Sequence, residues 1–206
     1  MIIDNILKFA NNYDLFIFDI NGVLDNNHNA KVETLKKHFP GMSDLDISTT
    51  NVDMERAYES NKSSSTSSHI ASALADNGIV VDSDKADLLA STYFDLNRVK
   101  PNVVDCLNKL AETKTVCLYT ALSRPKVKFI TNLHPLSEKI MIFAKEDQLE
   151  SKPSIRNLQK ILKLTNISPN RAILFGDNIA VDIMPANLLG IKAVLVSNYV
   201  DEVIKL

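Results

Sequence analysis

Residues that mark several common enzyme classes are scarce in this sequence. The chain of 206 residues has five glycines, dispersed so that neither a GxGxxG pattern nor a P-loop occurs. This excludes the glycine-rich loops of dinucleotide and nucleoside-triphosphate enzymes. Its four histidines are scattered without zinc-ligand spacing. Its two cysteines, Cys106 and Cys117, belong to no CxxC pair, and we expect both to be reduced core residues of a cytoplasmic protein.

Strong net charge and long apolar runs are also missing. The formal net charge is −2 and the pI is about 6.1, which offers no electrostatic footprint for nucleic acid or an anionic membrane. No apolar run approaches the roughly 18 residues that span a bilayer. Asp4 and Lys8 interrupt the apolar N-terminal segment, which makes it a poor signal peptide. We therefore expect a soluble protein with neither a nucleic-acid nor a membrane partner.

The most informative segment is a short apolar run near the N-terminus. Leu15 to Phe18 has the composition of a buried strand, and Asp19 follows at its carboxyl end. Asn21 and Gly22 come next and form a favourable turn pair. Open α/β sheets place their reactive groups at the carboxyl ends of their strands. Asp19 is therefore the first candidate for a catalytic residue.

Three later segments place polar residues in comparable positions. The apolar run 115–119 ends at Thr120, and a third run, 172–175, is followed by Gly176-Asp177 with Asp182 five residues later. Between them, Lys152-Pro153 begins a helical pattern, and proline is well suited to a first helical turn. Taken singly, each polar residue is more often a turn or surface residue. Their order and spacing together indicate a site.

In order and spacing, these four segments resemble the motifs of the haloacid dehalogenase (HAD) superfamily. The resemblance runs from Phe16 to about Ser197, apart from an insert between the first two motifs. Its most specific parts are the Lys-Pro step and the segment Gly176–Asp182, followed by Ala-Asn-Leu-Leu-Gly-Ile. The resemblance implies an α/β fold with a Rossmann-like parallel sheet.

The resemblance also implies a catalytic role for each motif residue. Asp19 corresponds to a nucleophile that accepts a phosphoryl group, and Thr120, Ala121 and Lys152 correspond to groups that bind that phosphoryl group. HAD phosphatases carry a second aspartate two residues after the nucleophile, which acts as general acid and base. Here that position is Asn21, which is either the natural residue or a substitution introduced into the chain. A carboxamide does not titrate near neutral pH.

Mg²⁺ is the cofactor that the resemblance implies. A phosphate ester repels an approaching carboxylate, and a hard cation bound to both removes that repulsion. Asp19, the backbone carbonyl of Asn21 and Asp177 correspond to metal ligands. Asp182 completes this acidic set, where it orients either Lys152 or a metal-bound water. Because residue 21 contributes its backbone oxygen, an asparagine there is compatible with metal binding.

Alternating strand and helix patterns predict a core made of residues 1–25 and 100–206. The strands are predicted at 14–18, 115–119, 140–143, 171–175 and 192–196, and helical patterns near 101–112, 124–132, 154–163 and 179–189 imply a parallel sheet covered on both faces. The insert, residues 26–99, lacks strand alternation. Its helical patterns lie near 31–38, 52–60, 68–77 and 83–97. It resembles the helical cap that many HAD enzymes carry after the first motif.

A cap predicts a small phosphorylated substrate, because closure over a site excludes water and bulky molecules. Arg56 and Lys62 are the candidate substrate contacts within the insert. Lys62 lies in the serine-rich segment 60–69, whose composition favours a flexible, solvated loop. We expect a monomer or a homodimer.

Asn21 leaves three functions open. The first is a Mg²⁺-dependent phosphatase with impaired acid–base chemistry, and the second is a protein that binds a phosphorylated ligand without catalysis. The third is a dehalogenase-like or phosphonate-cleaving hydrolase, since these relatives also lack the second aspartate. Ala-Leu-Ser follows Thr120 where dehalogenases commonly have asparagine, and no motif supports a Schiff-base lysine. We therefore favour the phosphatase.

Overall fold

A computed structural model describes residues 2–25, 27–60, 65–97, 99, 101–131, 135–196 and 203–204. The chain forms two compact units, residues 1–25 with 99–206, and residues 26–98. Val99, which the sequence analysis places in the insert, belongs to the first unit and forms an isolated antiparallel bridge with Asp25. We refer to these units as the sheet unit and the helical unit.

The sheet unit is built around a six-stranded sheet in the order β3-β2-β1-β4-β5-β6. The strands are β1 (Leu15–Phe18), β2 (Thr115–Tyr119), β3 (Met141–Phe143), β4 (Ala172–Gly176), β5 (Lys192–Val196) and β6 (Val203–Ile204). The first five are parallel, which confirms the α/β fold predicted from the sequence, and β6 joins β5 antiparallel. Strand β6 is not predicted from the sequence.

The described helices complete the two units. They are α1 (Ile2–Phe9), α2 (Asn27–His38), α3 (Asp44–Ser60), α4 (Thr66–Asp76), α5 (Ser83–Leu96), α6 (Pro101–Leu110), α7 (Arg124–Thr131), α8 (Ile155–Thr165) and α9 (Met184–Leu188). Short 3₁₀ turns span Lys145–Asp147 and Pro169–Arg171, and a π-helical turn spans Ile179–Ile183. No helix in the described ranges is both long enough and apolar enough to cross a membrane.

Strand β1 is buried on both faces of the sheet. Phe16 and Phe18 pack into one core with apolar residues of α1, α6 and α7. Leu15 and Ile17 pack into a second core with residues of α8 and α9. Alternate side chains of a strand point to opposite faces, so a run of four apolar residues is what a strand between two helical layers requires.

The strand register brings the predicted motif residues to one edge of the sheet. Phe18 pairs with Leu118 of β2 and with Phe175 of β4. Asp19 is therefore level with the ends of both neighbouring strands, and Thr120 and Asp177 follow directly after those strands. This is the edge at which parallel sheets of this type place their ligands.

The helical unit contains α2–α5, which pack around their own apolar core. That core is made of Leu35, Ile47, Met54, Ile70, Ala73, Leu74, Leu89 and Ala90. Ser65 and Asp82 cap α4 and α5 by accepting hydrogen bonds from backbone N–H groups of the first turn. Helix α3 begins at Asp44, eight residues before the helical pattern seen in the sequence, because buried Ile47 anchors its first turn in the core.

Candidate active site

Lys152 forms the centre of an ion-pair cluster at the carboxyl edge of the sheet. Its Nζ donates hydrogen bonds to Oδ1 of Asp19 at 3.1 Å and to Oδ1 of Asp182 at 2.9 Å. Lys152 is 5% exposed and Asp182 1%, so this cation and this anion are almost entirely removed from water. Buried charges are stable only when they are paired in this way. The structure thus brings together three residues that the sequence places far apart.

Burial and neighbouring charges shift the proton affinity of two of these groups. Burial raises the pKa of Asp19 to about 6, with a smaller upward contribution from Asp182, while Lys152 opposes the shift. For Lys152, burial acts to lower the pKa, but the carboxylates of Asp19 and Asp182 outweigh it and raise the pKa. Lys152 is therefore a fixed positive charge at neutral pH, and Asp19 is ionised there.

Tyr119 and Asn157 hold Lys152 in place. The Nζ of Lys152 lies 4.2 Å from the centre of the Tyr119 ring, within the range of a cation–π contact. Fully buried Asn157 donates to the Tyr119 hydroxyl at 3.4 Å and to the carbonyl of Glu150 at 2.7 Å, and its Oδ1 accepts from the N–H of Leu149 at 2.8 Å. Asn157 therefore fixes the loop that leads to Lys152. Neither supporting residue is predicted from the sequence, because each lies within an ordinary strand or helix pattern.

Asp182 packs directly against Gly176. A Cβ atom at Gly176 would lie 2.4 Å from Cβ of Asp182 and 2.8 Å from its Oδ2, which is too close for any other residue without a shift of Asp182. Asn178 sets the start of the π-helical turn, since its Oδ1 accepts from the N–H groups of Ala180 and Val181. The glycine before Asp177 is the sequence signal for this close contact.

Three carboxylates meet at this edge and could hold a metal ion. Asp19, Asp177 and Asp182 each offer an oxygen atom, and these atoms lie within 4.8 Å of one another. Carboxylate oxygens are the ligands that a hard divalent cation such as Mg²⁺ prefers. The donor set of the chain therefore fits the cofactor that the sequence implies.

Asn21 lies in the turn that follows Asp19. The turn is closed by Gly22, which has φ of +75° and donates its N–H to Oδ1 of Asp25 at 2.7 Å. The left-handed backbone of Gly22 explains why a glycine follows Asn21. Oδ1 of Asn21 is buried and has no hydrogen-bond partner among the described residues.

Thr120 is buried at the end of β2 and its backbone is held on both sides. Its N–H donates to the carbonyl of Phe143 at 3.2 Å, and its carbonyl accepts from Nε2 of Gln148 at 2.6 Å. Its Oγ1 accepts from the N–H of Leu122 at 3.2 Å, which leaves the hydroxyl hydrogen able to donate. Ala121 follows it, half-buried, in the same turn.

The structure describes one of the two substrate contacts that are predicted in the insert. Arg56 lies on α3 of the helical unit, where its side chain is 75% exposed and donates to Oδ1 of Asp53 at 2.8 Å. Lys62 lies outside the described residues. Both remain predictions.

The sequence profile of the haloacid dehalogenase-like hydrolases matches residues 13–190, which is most of the chain. The chain belongs to this hydrolase family. No curated protein matches it. The match includes the motif segments from Asp19 to Asp182 and therefore covers every residue of the cluster described above.

Solved structures of HAD-like proteins share this fold at low sequence identity. The HAD hydrolase YfnB of Bacillus subtilis, bound to magnesium, has a TM-score of 0.70 and 14% identity over 88% of this chain and 87% of its own. L-2-haloacid dehalogenase of Xanthobacter autotrophicus has a TM-score of 0.68 and 14% identity over 88% and 76%. A predicted phosphoglycolate phosphatase of Haemophilus somnus has a TM-score of 0.58 and 16% identity over 88% and 84%. These HAD-like relatives include both dehalogenases and phosphatases.

Proposed function

We propose that this HAD-like hydrolase is a Mg²⁺-dependent phosphatase that transfers a phosphoryl group from a small molecule to Asp19. The observation that carries the proposal is the charge of the cluster. The carboxylates of Asp19, Asp177 and Asp182 approach one another within 4.8 Å, while Lys152 supplies the positive charge between two of them. The excess negative charge is the environment that a divalent cation stabilises.

The same charge argues against halide displacement. A carboxylate that attacks a carbon–halogen bond meets no phosphoryl negative charge, so it needs no divalent cation to bring the two groups together. In that reaction, a second and third carboxylate beside the nucleophile would only raise the free energy needed to ionise the nucleophilic carboxyl group. A phosphoryl substrate does require such a cation.

The residues of the site have distinct roles in the proposed reaction. Asp19 attacks phosphorus and forms an aspartyl-phosphate, and water then hydrolyses this intermediate. Lys152 and the Thr120 hydroxyl stabilise the charge on the phosphoryl oxygens. Asp182 and Tyr119 keep Lys152 oriented. Asp19, the carbonyl of residue 21 and Asp177 would hold Mg²⁺, and the bound cation would neutralise the charge between Asp19 and the phosphate.

Asn21 is proposed to limit this reaction. It stands where the phosphatases of the family have an acid–base aspartate, and a carboxamide neither gives nor takes a proton at neutral pH. General acid–base catalysis contributes about 10²–10⁴-fold, so its loss slows turnover without removing binding. A phosphate-ligand-binding protein is the second candidate, because Asn21 weakens only the proton transfers and not the cation or phosphate contacts.

The helical unit is proposed as the cap that selects the small phosphorylated substrate. Its described helices carry exposed polar groups, including the Arg56 side chain, while the motif residues all belong to the sheet unit. Arg56 and Lys62 are the proposed substrate contacts.

Phosphate release from p-nitrophenyl phosphate tests the proposal. We expect slow release that requires Mg²⁺ and disappears in Asp19→Asn, because the nucleophile is then lost. Asp14→Asn is a suitable control, since Asp14 lies before β1 and binds Arg171 and Lys114 away from the cluster. Release that is equally fast in Asp19→Asn would refute Asp19 as the nucleophile. Binding of phosphate with no release under any condition would favour the ligand-binding protein.

A further inference from the structure

We propose that the substrates of this site carry their phosphoryl group on an acidic leaving group, as in acyl phosphates, and that phosphorylated Asp19 persists after this group departs. The inference rests on the proposed function and names its substrate class. It follows from which groups near Asp19 are able to move a proton.

The charged side chains described around Asp19 already have other partners or belong to the acidic set. The ammonium of Lys152 donates to both Asp19 and Asp182 at 3.1 and 2.9 Å. Asp182 accepts that bond and is 1% exposed, so its carboxyl group is already paired with Lys152. Asp177 belongs to the acidic set that suits a cation. The resemblance to phosphatases of the family assigns proton transfer to position 21, and in this chain that position is Asn21.

Asn21 is able to accept a hydrogen bond but not a proton. Its Oδ1 is buried and unpartnered among the described residues, so it offers an acceptor in the turn directly after Asp19. An amide oxygen in that place is able to orient a hydroxyl or a water. The amide neither removes a proton from that hydroxyl or water nor supplies one.

The missing acid affects leaving groups unequally. An alkoxide has a conjugate acid with a pKa near that of water, about 15.7, and it leaves poorly unless it is protonated. A carboxylate has a conjugate acid with a pKa of about 4 and leaves as an anion without help. The site as built therefore discriminates in favour of acyl phosphates over alkyl phosphates.

The two steps balance without an added reagent. In the first, an Asp19 oxygen forms a bond to phosphorus while the bond from phosphorus to the leaving carboxylate oxygen breaks, and the carboxylate leaves with the electron pair. In the second, water attacks phosphorus, the bond to Asp19 breaks, and the proton of water goes to solvent. Asn21 does not remove that proton, so the second step is slow and the phosphorylated chain accumulates.

Intact-mass measurement of acid-quenched protein tests this directly. The chain is mixed with Mg²⁺ and either acetyl phosphate or glycerol 3-phosphate. We expect about one phosphoryl group per chain from acetyl phosphate within the first turnover, and none from glycerol 3-phosphate. Asp19→Asn should remain unmodified in both mixtures, which excludes phosphorylation elsewhere on the chain.

Asn21→Asp supplies the comparison. We expect it to hydrolyse glycerol 3-phosphate about 10²–10⁴-fold faster than the unchanged chain and to accumulate no phosphorylated protein from acetyl phosphate, because the new carboxylate serves both steps. Equal turnover of the two substrates by the unchanged chain would overturn the inference and leave the phosphatase proposal standing. Absence of both phosphorylation and phosphate release with either substrate, in both proteins, would overturn the inference together with the proposed function.

Discussion

The two units of this chain differ in where their buried polar and charged residues lie. In the sheet unit, the strands are mostly apolar, and the buried Lys152 joins Asp19 and Asp182 beyond the carboxyl ends of the strands. In the helical unit, the buried polar residues are distributed along the helices, as with Thr50 and Thr92. Among the described residues, only the sheet unit holds a set of three carboxylates that could bind a metal ion.

The chemistry proposed for this chain therefore follows from the strand ends and not from the amount of polar surface. A parallel sheet brings residues more than 100 positions apart to one edge, as it does for Asp19 and Lys152, whose separation is 133 residues. Helices α2–α5 pack mostly with their neighbours in sequence. Among the residues that the structure describes, they have no edge at which polar residues from distant parts of the chain come together in the same way. Matched substitutions in the two units should therefore have unequal effects.

The largest difference should come from removing one carboxylate in each unit. Asp177→Asn should abolish the thermal stabilisation by Mg²⁺, because a ligand that binds only the folded state stabilises it by RT ln(1 + L/Kd), where L is the free ligand concentration, and this falls to zero when the ligand no longer binds. At a Mg²⁺ concentration about 100 times the dissociation constant, the unchanged chain should gain about 2.7 kcal/mol, or roughly 5–10 °C in melting temperature. Differential scanning fluorimetry with and without Mg²⁺ measures this shift.

Asp44→Asn is the matched control in the helical unit. Asp44 is 94% exposed and lies 3.8 Å from Lys36, so its loss should leave the Mg²⁺ response unchanged. An unchanged response in Asp177→Asn as well would remove the metal site from this cluster.

A smaller difference should separate two glycine substitutions. Gly176→Ala places a Cβ 2.4 Å from Cβ of Asp182 and should displace that residue, lowering phosphatase activity by about 10²-fold and stability by about 1–3 kcal/mol. Gly41→Ala in the helical unit meets nothing within 4 Å and should change neither quantity. Steady-state kinetics and urea unfolding of both variants provide the comparison. Full activity in Gly176→Ala would show that the position of Asp182 is unimportant.

The smallest effect concerns pH. Burial raises the pKa of Asp19 to about 6, and Mg²⁺ binds the ionised carboxylate, so protons compete with the metal below that pH. The Mg²⁺ affinity of the unchanged chain should therefore fall about tenfold between pH 7 and pH 5. Isothermal titration calorimetry at the two pH values measures it. An affinity that is the same at both pH values would exclude Asp19 as a ligand that titrates in this range.

Much of the sheet unit could be predicted because its signals are local. Apolar runs identified the five parallel strands, and the residues that follow three of them, Asp19, Thr120 and Asp177, come to one edge as expected. Strand β6 has two residues, which is too short for a pattern. The first eight residues of α3 have weak helix propensity, being rich in threonine and aspartate, and they form a helix through tertiary packing of Ile47.

The supports of the site could not be predicted for a different reason. Tyr119 of β2 and Asn157 of α8 support Lys152 and its loop through contacts between these three parts of the chain. Those contacts form only in the folded structure, so no local sequence pattern reveals them. The same holds for Gly176, whose contact with Asp182 depends on the π-helical turn between them. A helical pattern at 179–189 does not distinguish an α-helical turn from a π-helical one, because both present similar apolar spacing over a single turn.

If Asn21 limits an otherwise complete phosphatase site, restoring an aspartate at position 21 should speed the turnover of an alkyl phosphate. Glycerol 3-phosphate hydrolysis is compared in the unchanged chain and in Asn21→Asp at saturating Mg²⁺, with the Mg²⁺ affinity of both proteins measured beside it. We expect a rate increase of about 10²–10⁴-fold in Asn21→Asp, with little change in Mg²⁺ affinity. An unchanged chain that already turns over at about 1–10³ s⁻¹, or an Asn21→Asp variant that binds Mg²⁺ but gains no activity, would contradict it.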